Sequence, residues 1–147
     1  MSLLPRKGLL AIAAVVDVAL NARDRPVSAK ALAARHGLPP RHLEPVLQAL
    51  VHDGILRGVR GPHGGYALAR ERDRIGIDEI VRAAASVRDR DDDVITSPII
   101  AEVVSPAVAE AERAFSGALS RINVDDLARR VEGSDRRVDP AEIDFTI

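Results

Sequence analysis

The sequence has no cysteine and no tryptophan among its 147 residues. Without thiols this chain can form no disulfide, no finger-type zinc site, no thiol redox sensor and no all-cysteine iron–sulfur ligation. Tyr66, Phe115 and Phe145 are its three aromatic residues. They are too few to build the stacking platform on which proteins lay single-stranded RNA or DNA, a shortage that leaves duplex binding open. No apolar run reaches the ~18 residues that a membrane helix needs. The opening Met1-Ser2-Leu3-Leu4-Pro5-Arg6-Lys7 is not followed by the apolar stretch and small-residue cleavage site of a secretory signal, so a cytoplasmic location away from membranes is expected. Gly-rich phosphate loops, serine or cysteine nucleophile motifs and a zinc-binding His-Glu-x-x-His are missing as well. The adjacent Asp125 and Asp126 suit a helix start better than acid–base chemistry. An enzyme is not expected.

What is present is 46% hydrophobic and 29% charged residues, enough for one modest core with an appendage. The net charge of −1 hides two halves of opposite sign. Residues 1–75 hold 12 Lys and Arg against 6 Asp and Glu, whereas residues 76–147 hold 9 against 16. A basic half can attract phosphates while an acidic half turns away from them. Ordinary charge scatter gives such a split too.

Helical spacing of Leu9, Leu10, Ile12, Ala13, Val16 and Leu20 predicts a first helix from about Arg6 to Asn21. Ser28 reads as the N-cap of a short helix, Ala29 to His36, that Gly37 closes. After the turn Leu38-Pro39-Pro40, the stripe Leu43, Val46, Leu47, Leu50 and Val51 marks a third helix ending at Asp53-Gly54. If that helix starts at Arg41 or later, the awkwardness of Pro45 inside it largely disappears. Two helices joined by a tight turn, with one before them, form a helix-turn-helix unit or part of a generic bundle. A hairpin follows: Ile55 to Val59, a turn from Arg60 to Gly65, then Tyr66 to Ala69. In that position it reads as the wing of a winged helix, with Arg57, Arg60 and Arg70 in or beside it. Its glycines allow a sharp turn and close approach to a groove, and Arg60 suits a minor groove unless it is merely a solvated loop arginine. On the third helix, at about 100° per residue, Arg41, Pro45, Gln48 and His52 fall opposite Leu43, with Glu44 on the border.

These stretches resemble a known family. Leu43 to Leu50, Gly54-Ile55-Leu56, and above all Val59-Arg60-Gly61-Pro62-His63-Gly64-Gly65-Tyr66-Ala67-Leu68-Ala69 are similar to the signature of the Rrf-two family of bacterial winged-helix regulators. Lys7-Gly8 and Asp17-Val18-Ala19-Leu20 add to the likeness, which covers roughly residues 5–132. The resemblance implies a homodimer that reads a partly palindromic operator in double-stranded DNA, most often as a repressor. It assigns base reading to Pro40, Arg41, His42 and Glu44, and minor-groove insertion to Arg60. The helical wheel adds Gln48, and wing placement adds Arg57. Arg41 would suit guanine, Gln48 adenine and Glu44 cytosine. Lys7, Ser28 and Lys30, near the starts of the first two helices, would hold phosphates.

The fold class expected is mainly α with a small β-hairpin. Residues 1–87 would form the winged helix-turn-helix domain, 88–132 an acidic loop and dimerisation helices, and 133–147 a loosely held tail. Cluster-binding relatives carry cysteine ligands in the loop after the fourth helix. This chain has none there, so no iron–sulfur cofactor is expected, and Asp89, Asp91, Asp92 and Asp93 read as a solvated run rather than a metal site. His36, His42, His52 and His63 read as surface or phosphate-proximal residues. Ser97-Pro98 and Ser105-Pro106 should each start a helix. In the long helix from Pro106, Val108, Ala111, Phe115, Ala118 and Leu119 line the expected two-fold contact, and Asn123 caps a last helix. The signal is open: a small molecule, a protein, or protein level alone. The rival function is a winged-helix interaction module that has lost specific DNA binding.

Overall fold

The computed structural model describes residues 3–88 and 97–133. The aspartates 89 and 91–93 and the tail from 134 lie outside the described residues. Helix α1 (Arg6–Asn21) buries Ala11, Ala14, Val15, Val18 and Ala19 along one face, and its small side chains let α4 (Ile77–Ala85) pack closely against it. Helix α2 (Ala29–His36) opens on Ser28, whose Oγ accepts the Ala31 N–H at 3.0 Å. It closes on Gly37 at φ 63°, the left-handed conformation that glycine adopts without a Cβ penalty.

Helix α3 (Pro40–His52) buries Leu43, Val46, Leu47 and Leu50 and leaves its other face to solvent. It begins at Pro40, before the start at Arg41 or later that would ease Pro45. Pro45 therefore sits beyond the first turn and cannot donate to the Arg41 carbonyl four residues back. Because Arg41 and Pro45 are both exposed, water can take the freed carbonyl.

Strands β1 (Leu56–Val59) and β2 (Gly65–Leu68) pair antiparallel, Leu56 opposite Leu68 and Val59 opposite Gly65. Val27, just before α2, bridges to Tyr66 through two backbone bonds of 2.8 and 2.9 Å. This explains Gly65 differently from the groove-approach reading: a methyl group there would overlap the Val27 carbonyl. The bare backbone seats the wing on the start of α2.

A 3-10 turn (Arg72–Arg74) leads to α4, where Glu79 accepts the Gly76 N–H at 2.9 Å. Asn123 caps α6 (Val124–Gly133) as expected, and it exchanges side-chain to backbone bonds of 2.8 and 2.9 Å with Asp126, a reciprocal cap. Backbone bonds Ile77 to Ile122 and Val124 to Ile75 tie this segment to the body. Val124 is fully buried in the same core as Leu32, Leu43, Leu47, Leu50 and Ile80. Each such aliphatic burial contributes about 1.5–3 kcal/mol. The core therefore does not stop at residue 87, because α6 packs on α1.

The second Ser-Pro step does not start a helix. Ser97 caps as expected, its Oγ accepting the Ile100 N–H at 3.3 Å. The chain then runs helically through a π-turn (Ile100–Val104) into α5 (Ser105–Leu119) without a break. Ser105 is itself helical, φ −61° and ψ −45°, and donates to Ile100 five residues back. The wide turn shifts the hydrogen-bond register, so Pro106 falls in the first turn of a new ladder, where no N–H is required.

Candidate nucleic-acid interface

The apolar stripe of α3 fixes which of its residues face outward. Pro40, Arg41, His42, Glu44, Gln48 and His52 are all exposed. Beside them the hairpin presents exposed Arg57 and Arg60. Gln48 and Arg60 line one open cleft of about 300 Å³ between α3 and the wing. Lys7, Arg41 and His42 line another, of about 340 Å³, at the start of α3. Ser28 lines a third, of about 480 Å³, between the start of α2 and the wing tip. Arg25, Arg35 and His63 share it, a basic grouping that sequence reasoning did not assemble.

Pairing separates the arginines into two sets. Arg70 donates to the Gly54 and Arg74 carbonyls and to Glu79 at 3.1–3.3 Å, so it braces the body rather than serving the wing. Burial raises the Glu79 carboxyl, but the Gly76 N–H and Arg70 outweigh this and hold it below its usual value. Arg72 reaches Asp125 at 2.7 Å and Glu132 at 2.9 Å, joining the 3-10 turn to α6. By contrast, among the described residues no ion pair or side-chain hydrogen bond holds Lys30, Arg41, His42, Gln48, Arg57 or Arg60. The expected phosphate residues differ from one another. Lys30 is exposed, Ser28 is occupied as an acceptor but keeps a hydroxyl to donate, and Lys7 donates its ammonium to the Val87 carbonyl at the end of α4.

The arrangement contradicts the surface reading of one histidine. The His36 side chain is 6% exposed, with Nε2 3.2 Å from a carboxylate oxygen of Asp17. Asp17 is the one buried charged residue of the described core. It also takes two bonds from Arg35, at 2.7 and 2.8 Å, and one from Asn21 at 3.0 Å. Burial pushes this carboxyl up, and contacts with the His36 imidazole and the Arg35 guanidinium more than reverse that, leaving it lowered. The cluster clamps α2 to α1, and α3 packs against both. Its sequence signal was faint: a lone aspartate on the buried face of the first helix.

Residues 4–130 match the Rrf2 (Rrf-two) family, described as an iron-dependent transcriptional regulator. The chain belongs to the Rrf2 family. It is similar to the HTH-type transcriptional regulator IscR of Xenorhabdus nematophila, 38% identical over 80 residues, which is 54% of this chain and 49% of that protein. IscR of Cronobacter sakazakii is 36% identical over the same lengths. The chain thus spans about half the length of the curated relatives it matches. Among solved structures, T. potens IscR superposes with a TM-score of 0.68 at 27% identity, covering 89% of each chain. CymR, the global cysteine regulator of B. subtilis, does so with 0.64 at 25% identity, over 88% of this chain and 98% of that one. The winged-helix fold is shared, and these Rrf2 relatives are regulators rather than enzymes.

The family's iron raises the question of ligands. This chain supplies no cysteine, and among the described residues no three His, Asp or Glu side chains gather as a metal site would require. The donor set does not fit a thiolate-held cluster. Among the described residues, no helix is long and apolar enough to cross a membrane.

Proposed function

We propose that this Rrf2 protein is a sequence-specific, double-stranded DNA-binding regulator that works in the cytoplasm as a homodimeric repressor without an iron–sulfur cluster. The observation that carries this reading is the unpaired, exposed set Arg41, His42, Gln48, Arg57 and Arg60 on α3 and the wing, in a chain whose Arg35, Arg70 and Arg72 are all paired internally. Cations left without carboxylates are free for phosphates and base edges.

Helix α5 supports the dimer. Among the described residues nothing buries it: Val108 stays 47% exposed, Val103 in the π-turn 63% and Ile99 just before that turn 69%. An apolar stripe of that extent calls for a partner surface. Val108, Ala111 and Ala118 are exposed, and Phe115 is half-buried. Leu119 also packs against the chain's own core, at the turn where the helix returns to the body. A two-fold dimer would read a palindrome. Repression and the absence of a cluster rest on the family resemblance and on the missing thiols.

The test is selection of bound duplexes from a random library at two salt concentrations. A palindromic motif whose affinity falls steeply with salt is expected. No motif and no salt-sensitive binding would overturn the reading. A promoter–reporter fusion carrying the motif would then separate repression from activation.

A further inference from the structure

The cleft at the start of α3 has a composition that DNA contact alone does not account for. Its rim carries Arg6 and Lys7 from the first turn of α1 and Arg41 and His42 from the first turn of α3, and among the described residues no carboxylate lines it. Arg6, Arg41 and His42 form no ion pair with any described carboxylate. Beneath them lie Leu10, Leu38 and Val46, Val46 fully buried. The Lys7 bond to the Val87 carbonyl holds α1 to the end of α4 along one wall. Neither α1 nor α3 has a side-chain cap, and the positive ends of both helix dipoles lie beside the same cavity. A DNA phosphate would use this charge but not the apolar floor.

The geometry points to a site here for a small carboxylate with a hydrocarbon body, its headgroup between Arg6 and Arg41 and its chain on Leu10 and Leu38. A volume of about 340 Å³ is of the size that small-molecule sites occupy. The site deepens the regulator reading and rests on it for its consequence. Arg41 and His42 belong to the DNA-facing set, so ligand and operator draw on the same groups and exclude each other. At ten times its own Kd, such a ligand lowers operator affinity about tenfold.

Octanoate and its neutral analogue octanamide serve as probes, followed by backbone amide shifts of the full labelled chain. Octanoate should move amides of residues 6–10, 38, 41–44, 46 and 87 along a saturating curve. Octanamide should bind about tenfold or more weakly, the worth of one charge-assisted hydrogen bond. Arg6→Gln, whose spectrum reports its own folding, should weaken octanoate and leave octanamide unchanged. Equal binding of the two probes, or shifts confined to residues 98–119, would overturn the site. Fluorescence anisotropy with a selected duplex separates the two readings: octanoate uptake without any duplex binding removes the regulator and leaves the site, and duplex binding without octanoate uptake removes the site alone.

Discussion

Helices α3 and α5 are of similar length and similarly striped, yet among the described residues α3 seals Leu43, Val46, Leu47 and Leu50 inside the chain while α5 buries nothing. The stripe of α3 finds α4, α2 and β1 as neighbours, so its orientation is decided within one chain and its opposite face is offered in a fixed place. Among the described residues, the stripe of α5 meets α4 and, at Leu119, the edge of the core. The same pattern of residues therefore makes a core in one case and an exposed apolar face in the other, and the difference comes from what packs nearby.

Breaking the α3 side should have the largest effect. Leu47→Ala empties a fully buried position and should cost about 4 kcal/mol in urea unfolding. Asp17→Ala attacks the clamp that holds α2 to α1, leaving Arg35 and His36 without their carboxylate, and should cost about 3 kcal/mol. The same clamp predicts an acid response. The folded Asp17 carboxyl lies below its ordinary 3.8, so its contribution is complete above that pH and fades as pH falls through the folded value. Asp17→Asn should flatten that part of the stability profile in wild-type comparison.

The α5 side should answer differently. Val108→Glu should leave the body folded and weaken self-association by about a hundredfold, measured by sedimentation, because a carboxylate would be desolvated at the interface. A folded variant that remains dimeric would show that α5 is not the contact. Arg60→Ala should leave stability unchanged and weaken specific duplex binding by about 2 kcal/mol. Ser28→Ala is the mildest, about 1 kcal/mol from the lost α2 cap, read as a lowered denaturation midpoint.

Local chemistry made most of the fold legible. Ser28, Gly37 and Asn123 act where their side chains or missing Cβ dictate, and the α3 stripe follows from spacing alone. The exposed face of α3 was legible for the same reason, as the complement of that stripe. The Asp17 clamp was not, because Arg35 lies 18 residues away and meets it only through tertiary packing. Ser105-Pro106 misled because a valid local start signal was overridden by a π-turn that kept the helix continuous. The role of Gly65 depends on Val27, a contact no short window contains.

The central claim is that α3 reads base sequence through its unpaired outward face. Its most direct test compares wild type and Arg41→Ala on the selected duplex and on a scrambled one, by anisotropy at fixed salt. Wild type should discriminate between them, and the variant should lose about 1–3 kcal/mol of that discrimination while holding the scrambled duplex nearly as well. A wild type that cannot tell the duplexes apart, or a variant that discriminates equally well, would contradict it.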